Sequence, residues 1–168
     1  MRALYLLSVW LHILAAAVWI GGMVFLVLVL VPVIRRPEYR GVAAPLIHWT
    51  GVRFLWVGWT CLILLAASGT FALAYRGFGW TDLWSGRVFQ GPFGQTLGVK
   101  LSLVAMILLL SALHDFLVGP RATALWQANP ASPEATRLRR QAGWIGRLNL
   151  LLALIVMALG VMLGRGLP

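Results

Sequence analysis

The stretch ALYLLSVWLHILAAAVWIGGMVFLVLVLVPVI, residues 3–34, holds a single ionisable side chain, His12. A helix needs about 20 mostly apolar residues to cross a hydrocarbon core roughly 30 Å thick, so this segment spans a bilayer with length to spare for tilt. A secretory signal is the competing reading, because Arg2 precedes the apolar run and Ala15, Ala16 and Ala17 imitate a cleavage site. Signal cores stop after about 7 to 15 residues, whereas this run continues beyond those alanines to Ile34 without a charge. Residues 3–34 therefore read as a membrane span.

Three further stretches have the same character. Residues 54–75 are uncharged throughout and closed by Arg76. Residues 97–118 are apolar apart from Lys100, His114 and Asp115, and residues 144–164 carry Asn149 as the strongly polar side chain of their core. The expected fold is an all-α integral membrane protein, an antiparallel bundle of four transmembrane helices forming one membrane domain over residues 1–168. An outer loop falls at 76–96, and the other connections at 35–53 and 119–143. Ser132-Pro133-Glu134 looks like a helix start, with a side-chain cap, a proline in the first turn and an early acid. That helix is expected to lie in the interface before rising as the fourth span. Glycines 77, 79, 86, 91 and 94 alternate with aromatics in the outer loop, which reads as an interfacial aromatic belt.

Composition excludes the other classes. With 61% hydrophobic and 11% charged residues, the chain is too apolar for a water-soluble domain and too poor in charge for a disordered one. Fourteen basic against four acidic residues give +10, which raises the question of nucleic acid. Their placement answers it. Arg35, Arg36, Arg40, Arg53, Arg121, Arg137, Arg139, Arg140 and Arg147 flank the loops after spans one and three, while Arg2, Arg76, Arg87 and Arg165 lie on the other side. The positive-inside rule puts the nine-arginine side in the cytoplasm and both termini outside, in a prokaryotic-type cytoplasmic membrane. Anionic headgroups account for the basic excess, and no nucleic-acid signature is left to explain. The lone cysteine, Cys61, cannot form an intrachain disulfide.

An ionisable residue at membrane depth is costly and marks a candidate site, which here selects His12, Lys100, His114 and Asp115. At about 1.5 Å rise per residue, His12 lies roughly 12 Å outward of the middle of its span, Lys100 about 10 Å outward and His114 about 10 Å inward. His12 and Lys100 share a level, as two axial ligands of a flat porphyrin would; imidazole is the usual protein ligand to haem iron. Ala15 and Ala16, one turn below His12, would leave room for the disc, and Gly58, Cys61 and Gly69 give the second span a narrow stripe. Arg76 and Arg87 at the outer end could pair with haem propionates. Lys100 can equally snorkel to the headgroups along its methylene stem. Near the inner end, His48 and His114 belong to a second polar cluster with Arg53 and Asn149, although rise alone sets the two histidines about 14 Å apart in depth. An ion pair of Asp115 with Arg121 or Arg147 is expected there. Copper(I) would want soft ligands, but Cys61, Met23, Met106, Met157 and Met162 are scattered over several spans, and Met157 and Met162 do not stack on one face.

Trp10-Leu11-His12 followed by Ala17-Val18-Trp19-Ile20-Gly21-Gly22-Met23 resembles the first helix of the CopD-like membrane superfamily. Phe93-Gly94 leading through Leu97 to Lys100-Leu101, then Leu113-His114-Asp115-Phe116 and Gly119-Pro120-Arg121, resemble the entry and ending of one of its later helices. The resemblance implies one of two activities. Copper-resistance protein D is associated with copper uptake, typically through eight spans. HemJ-type protoporphyrinogen oxidases are similar in size and span number and hold haem b through a first-helix histidine, matched by His12, and a later lysine, matched by Lys100. The spacing from Lys100 to the next histidine and the glycine-rich outer loop depart from the HemJ pattern. Haem b binding with electron transfer or membrane oxidoreductase activity is the expectation, with His12 as axial ligand and Lys100 or His114 as the second functional residue; copper binding or transport is the alternative. The partners expected are the bilayer, a small or lipophilic electron donor or a redox protein, and a second copy of the chain.

Overall fold

The computed structural model describes residues 2–165, all four long apolar stretches lying in helices and no strand occurring among the described residues. The helices are α1 (Arg2–Ile34), α2 (Arg40–Tyr75), the short α3 (Trp80–Trp84), α4 (Gly91–Ala128) and α5 (Pro133–Arg165). Four of them are long and apolar enough to cross a membrane. Each overruns its apolar span, so much of 35–53 and 119–143 is helical. The expected helix start at Ser132 is present, its hydroxyl accepting the Ala135 N–H at 3.4 Å. A separate interfacial helix does not follow. Pro133 to Arg165 is one helix, because the residues between Glu134 and the fourth span contain no proline and no cluster of glycines to break it.

Two proline-containing turns change the helices at the arginine-rich end. Pro32 and Pro120 lack an N–H, and their rings press on the carbonyls four residues earlier, those of Leu28 and Phe116. Both helices widen into a π turn at that place, Leu26–Leu30 in α1 and Leu113–Val118 in α4. The Gly119 N–H donates to the His114 carbonyl, and a Cβ at Gly119 would stand 2.9 Å from that oxygen. Any side chain there must push the turn apart.

Packing pairs α1 with α2 and α4 with α5; α1 also touches α5, and α2 meets the far part of α4. Ala15, Trp19 and Met23, four residues apart on one face of α1, pack with Cys61 and Leu62 of α2, Ile107 of α4, and Leu152 and Ala153 of α5. Leu28, Trp56, Ile63 and Leu109 lie exposed on the outside. That pattern suits a lipid solvent: the surface is as apolar as the core, and close van der Waals fit holds the helices together.

Candidate functional site

Toward the end bearing the glycine-rich loop, His12 meets Ser68 of α2. The Ser68 Oγ lies 2.7 Å from His12 Nδ1 and donates to the Leu64 carbonyl at 2.5 Å. With the Ser68 proton on the Leu64 carbonyl, Ser68 accepts from Nδ1–H in the tautomer that leaves the lone pair of His12 on Nε2. A metal-bound histidine is oriented in the same way by an acceptor behind its other nitrogen. Gly69 lies beside the ring, where a Cβ would make ordinary contact with His12 Cε1 at 3.8 Å. The Lys100 ammonium rests over Gly160 of α5, 3.3 Å from where a Cβ would be.

The room expected beside Ala15 is not there. Ala15 is 4% exposed within the cluster built on Trp19 and Met23, and Gly58 serves as the seat of the Trp19 indole rather than as an open stripe. The large α1 side chains have filled what the small α2 residues vacate. Outside this level, Arg76 lies 5.0 Å over the Phe93 ring, which stacks in turn on Phe78. Arg87 pairs with Asp82 at 3.3 Å on the outer loop. Both guanidiniums proposed for propionates thus have protein partners at the mouth of the bundle. Trp80 and Trp84 stand exposed beside them.

The arginine-rich end is built differently. His114 Nδ1 and Asp115 Oδ1 are 2.8 Å apart, and the Trp59 indole N–H donates to Asp115 Oδ2 at 3.0 Å. The expected ion pair of Asp115 with Arg121 or Arg147 does not form. The π turn puts Asp115 against α2, where Trp59 and the adjacent imidazole supply its partners from inside the bundle. His114 and His48 line one cavity of about 610 Å³, walled also by both π turns. Both histidines stand on helices, His48 in α2, and the cavity reaches along the bundle far enough to take in the two of them. Asn149, 6% exposed, lines the same cavity and donates its amide to Ser111 Oγ at 2.8 Å.

Sequence reasoning passed over Ser68, Trp59 and Ser111, the partners of His12, Asp115 and Asn149. Ser68 had a signal, being one of few hydroxyls in an uncharged span; the other two are ordinary residues for a helix face. Among the described residues no three His, Cys, Asp or Glu side chains gather where they could hold a metal ion. Cys61 is buried alone in the core. A single imidazole whose other nitrogen is hydrogen-bonded is the kind of side chain that haem iron takes from a protein.

The geometry defines a four-span antiparallel helical membrane protein with an oriented histidine in one half and a hollow in the other. The family model for copper resistance protein D matches residues 50–163, and the chain belongs to that family. The match begins after α1, so His12 lies outside it. An uncharacterised protein of Aquifex aeolicus (strain VF5) is 30% identical over 161 residues, 95% of each chain, a range that takes in most of α1. No solved structure matches the chain.

Proposed function

We propose that this member of the copper resistance protein D family binds haem b and passes electrons in the membrane, with His12 as an axial ligand. The observation that carries the reading is the Ser68 contact, which suits the tautomer with its proton on Nδ1 and with Nε2 left to coordinate. Bound haem would supply one-electron chemistry. The chain's own part is to orient His12 through Ser68, to keep a cation at the same level through Lys100, and to keep water out with the apolar packing around Ala15 and Trp19. Lys100 serves as the opposite ligand or as the counter-charge of an acidic group. Arg87 would reach a propionate only by leaving Asp82, whereas Arg76, stacked over Phe93, keeps its edge N–H groups for one. The arginine-rich end faces the cytoplasm in this reading, and a lipophilic donor or a redox protein supplies the electrons.

The test is a visible spectrum of the detergent-purified protein before and after dithionite. A Soret band with a sharpened α band on reduction is the expected result, lost in His12→Ala. The family match favours a second reading, copper binding or transport. Colourless protein containing stoichiometric copper would replace the first reading with the second.

A further inference from the structure

We propose that the cavity at the arginine-rich end binds a membrane-soluble hydroquinone, with His114 accepting a hydrogen bond from one of its hydroxyls. The proposal gives a chemical class to the lipophilic donor and in that respect rests on the electron-transfer reading; the binding itself needs no haem. At about 610 Å³ the cavity is the size of ordinary ligand pockets, and Trp19, Met23, Phe54 and Leu62 give it an apolar wall. Gly51 of α2 and Gly143 and Gly146 of α5 line it as well, and a Cβ on any of the three would meet nothing within 4 Å. Bare backbone at those points leaves width for a flat ring.

One polar group in this lining is prepared to receive a donor. The Trp59 indole can only donate, and it gives its N–H to Asp115 Oδ2, while Oδ1 lies 2.8 Å from His114 Nδ1. With the carboxylate ionised, Nδ1 carries the proton and Nε2 keeps its lone pair, which meets no hydrogen-bond donor among the described residues. The His114 side chain retains 35% of its surface accessible, so a ligand in the cavity can reach it. Both members of the pair sit in the π turn Leu113–Val118, a rare kind of turn that recurs at functional sites. A hydroquinone combines an O–H donor for Nε2 with a flat ring and a tail that matches the apolar wall. An anion has no proton to give, and at Nε2 it would face the Asp115 carboxylate behind the ring.

Calorimetry of the full chain in detergent, kept reduced with dithionite and corrected against empty micelles, tests this with three probes that share a decyl tail: a hydroquinone, its dimethyl ether and decyl phosphate. The hydroquinone should bind about tenfold tighter than the ether, the worth of one hydrogen bond, and tighter than decyl phosphate. His114→Phe keeps a ring but loses the acceptor, and it should bring hydroquinone and ether level. Should that variant fail to fold, Gly146→Leu, which sets a side chain where a Cβ meets nothing, should weaken both compounds alike. Equal binding of hydroquinone and ether by the wild-type protein would overturn the proposal, as would a preference that survives His114→Phe or binding unchanged in Gly146→Leu. Tighter binding of decyl phosphate would overturn it too, by making the arginines the selecting groups. The haem reading fails separately. His12→Ala should bind the hydroquinone as the wild type does, and loss of binding there would overturn the proposal; a colourless wild-type protein that retains the preference would remove the haem and leave this site standing.

Discussion

The two ends of this bundle solve the same problem in opposite ways. At the His12 level the polar groups are few and half-buried: an imidazole beside a hydroxyl and a glycine of α2, and an ammonium over a glycine of α5. At the His114 level, the helices widen around Pro32 and Pro120 and leave a hollow into which polar groups face. A single ionisable side chain can be buried among apolar neighbours when one well-placed acceptor answers it. A cluster of arginines and histidines needs space, and the π turns create that space without breaking either helix. The first arrangement suits a tightly held group and the second an exchangeable one.

The largest expected effect separates the two ends outright. His12→Ala should abolish the reduced-minus-oxidised haem spectrum, while His114→Ala should leave it in place. Loss in both would merge the two levels into one site and break the comparison. Next comes packing. Trp19→Ala removes the side chain that fills the space over Gly58 and should lower stability in detergent by about 3 kcal/mol, read from thermal unfolding followed by circular dichroism. A change within error would mean that the outer half is looser than its burial indicates.

Ser68→Ala should keep the haem but weaken its retention about tenfold in a transfer assay to apomyoglobin, because His12 loses the acceptor that fixes its ring. Retention equal to wild type would make Ser68 a packing residue only. Asp115→Asn keeps an acceptor for Trp59 and weakens the bond to His114, with an expected cost of about 1 kcal/mol in the same melting experiment. The smallest effect is set at Gly160. Gly160→Ala places a Cβ 3.3 Å from the Lys100 ammonium, which is the movable end of a flexible side chain. A small shift of the Soret band without loss of stability is expected if Lys100 bears on the haem, and an unchanged band would remove it from that level.

The particular residues show where reading along the chain stops. Rise per residue put His12 and Lys100 at one depth; the fold adds the partners, Ser68 of α2 beside His12 and Gly160 of α5 beneath Lys100. The same reckoning set His48 and His114 at different depths, and it could not tell that both line one cavity. Depth is a coordinate along the helix and follows from counting; azimuth is set by which faces pack, and no count supplies it. The Asp115 ion pair was misjudged for this reason. Arg121 and Arg147 are near in sequence or depth, while Trp59, 56 positions away, is near in space.

Sequence by itself determined that the chain crosses a membrane with four helices, because hydrocarbon admits only long apolar segments that satisfy their own backbone hydrogen bonds. It also sorted the arginines to one end and singled out the few side chains costly enough to mark a site. Tertiary structure alone decided the rest: that Ser68 stands behind His12, that Trp59 answers Asp115, that Ala15 closes a space it was expected to open, and that Ser111 takes the Asn149 amide. Those outcomes depend on how four helices rotate about their own axes to interlock. In a bilayer that rotation is chosen by close packing and a handful of polar contacts, since burying apolar surface favours no face over another.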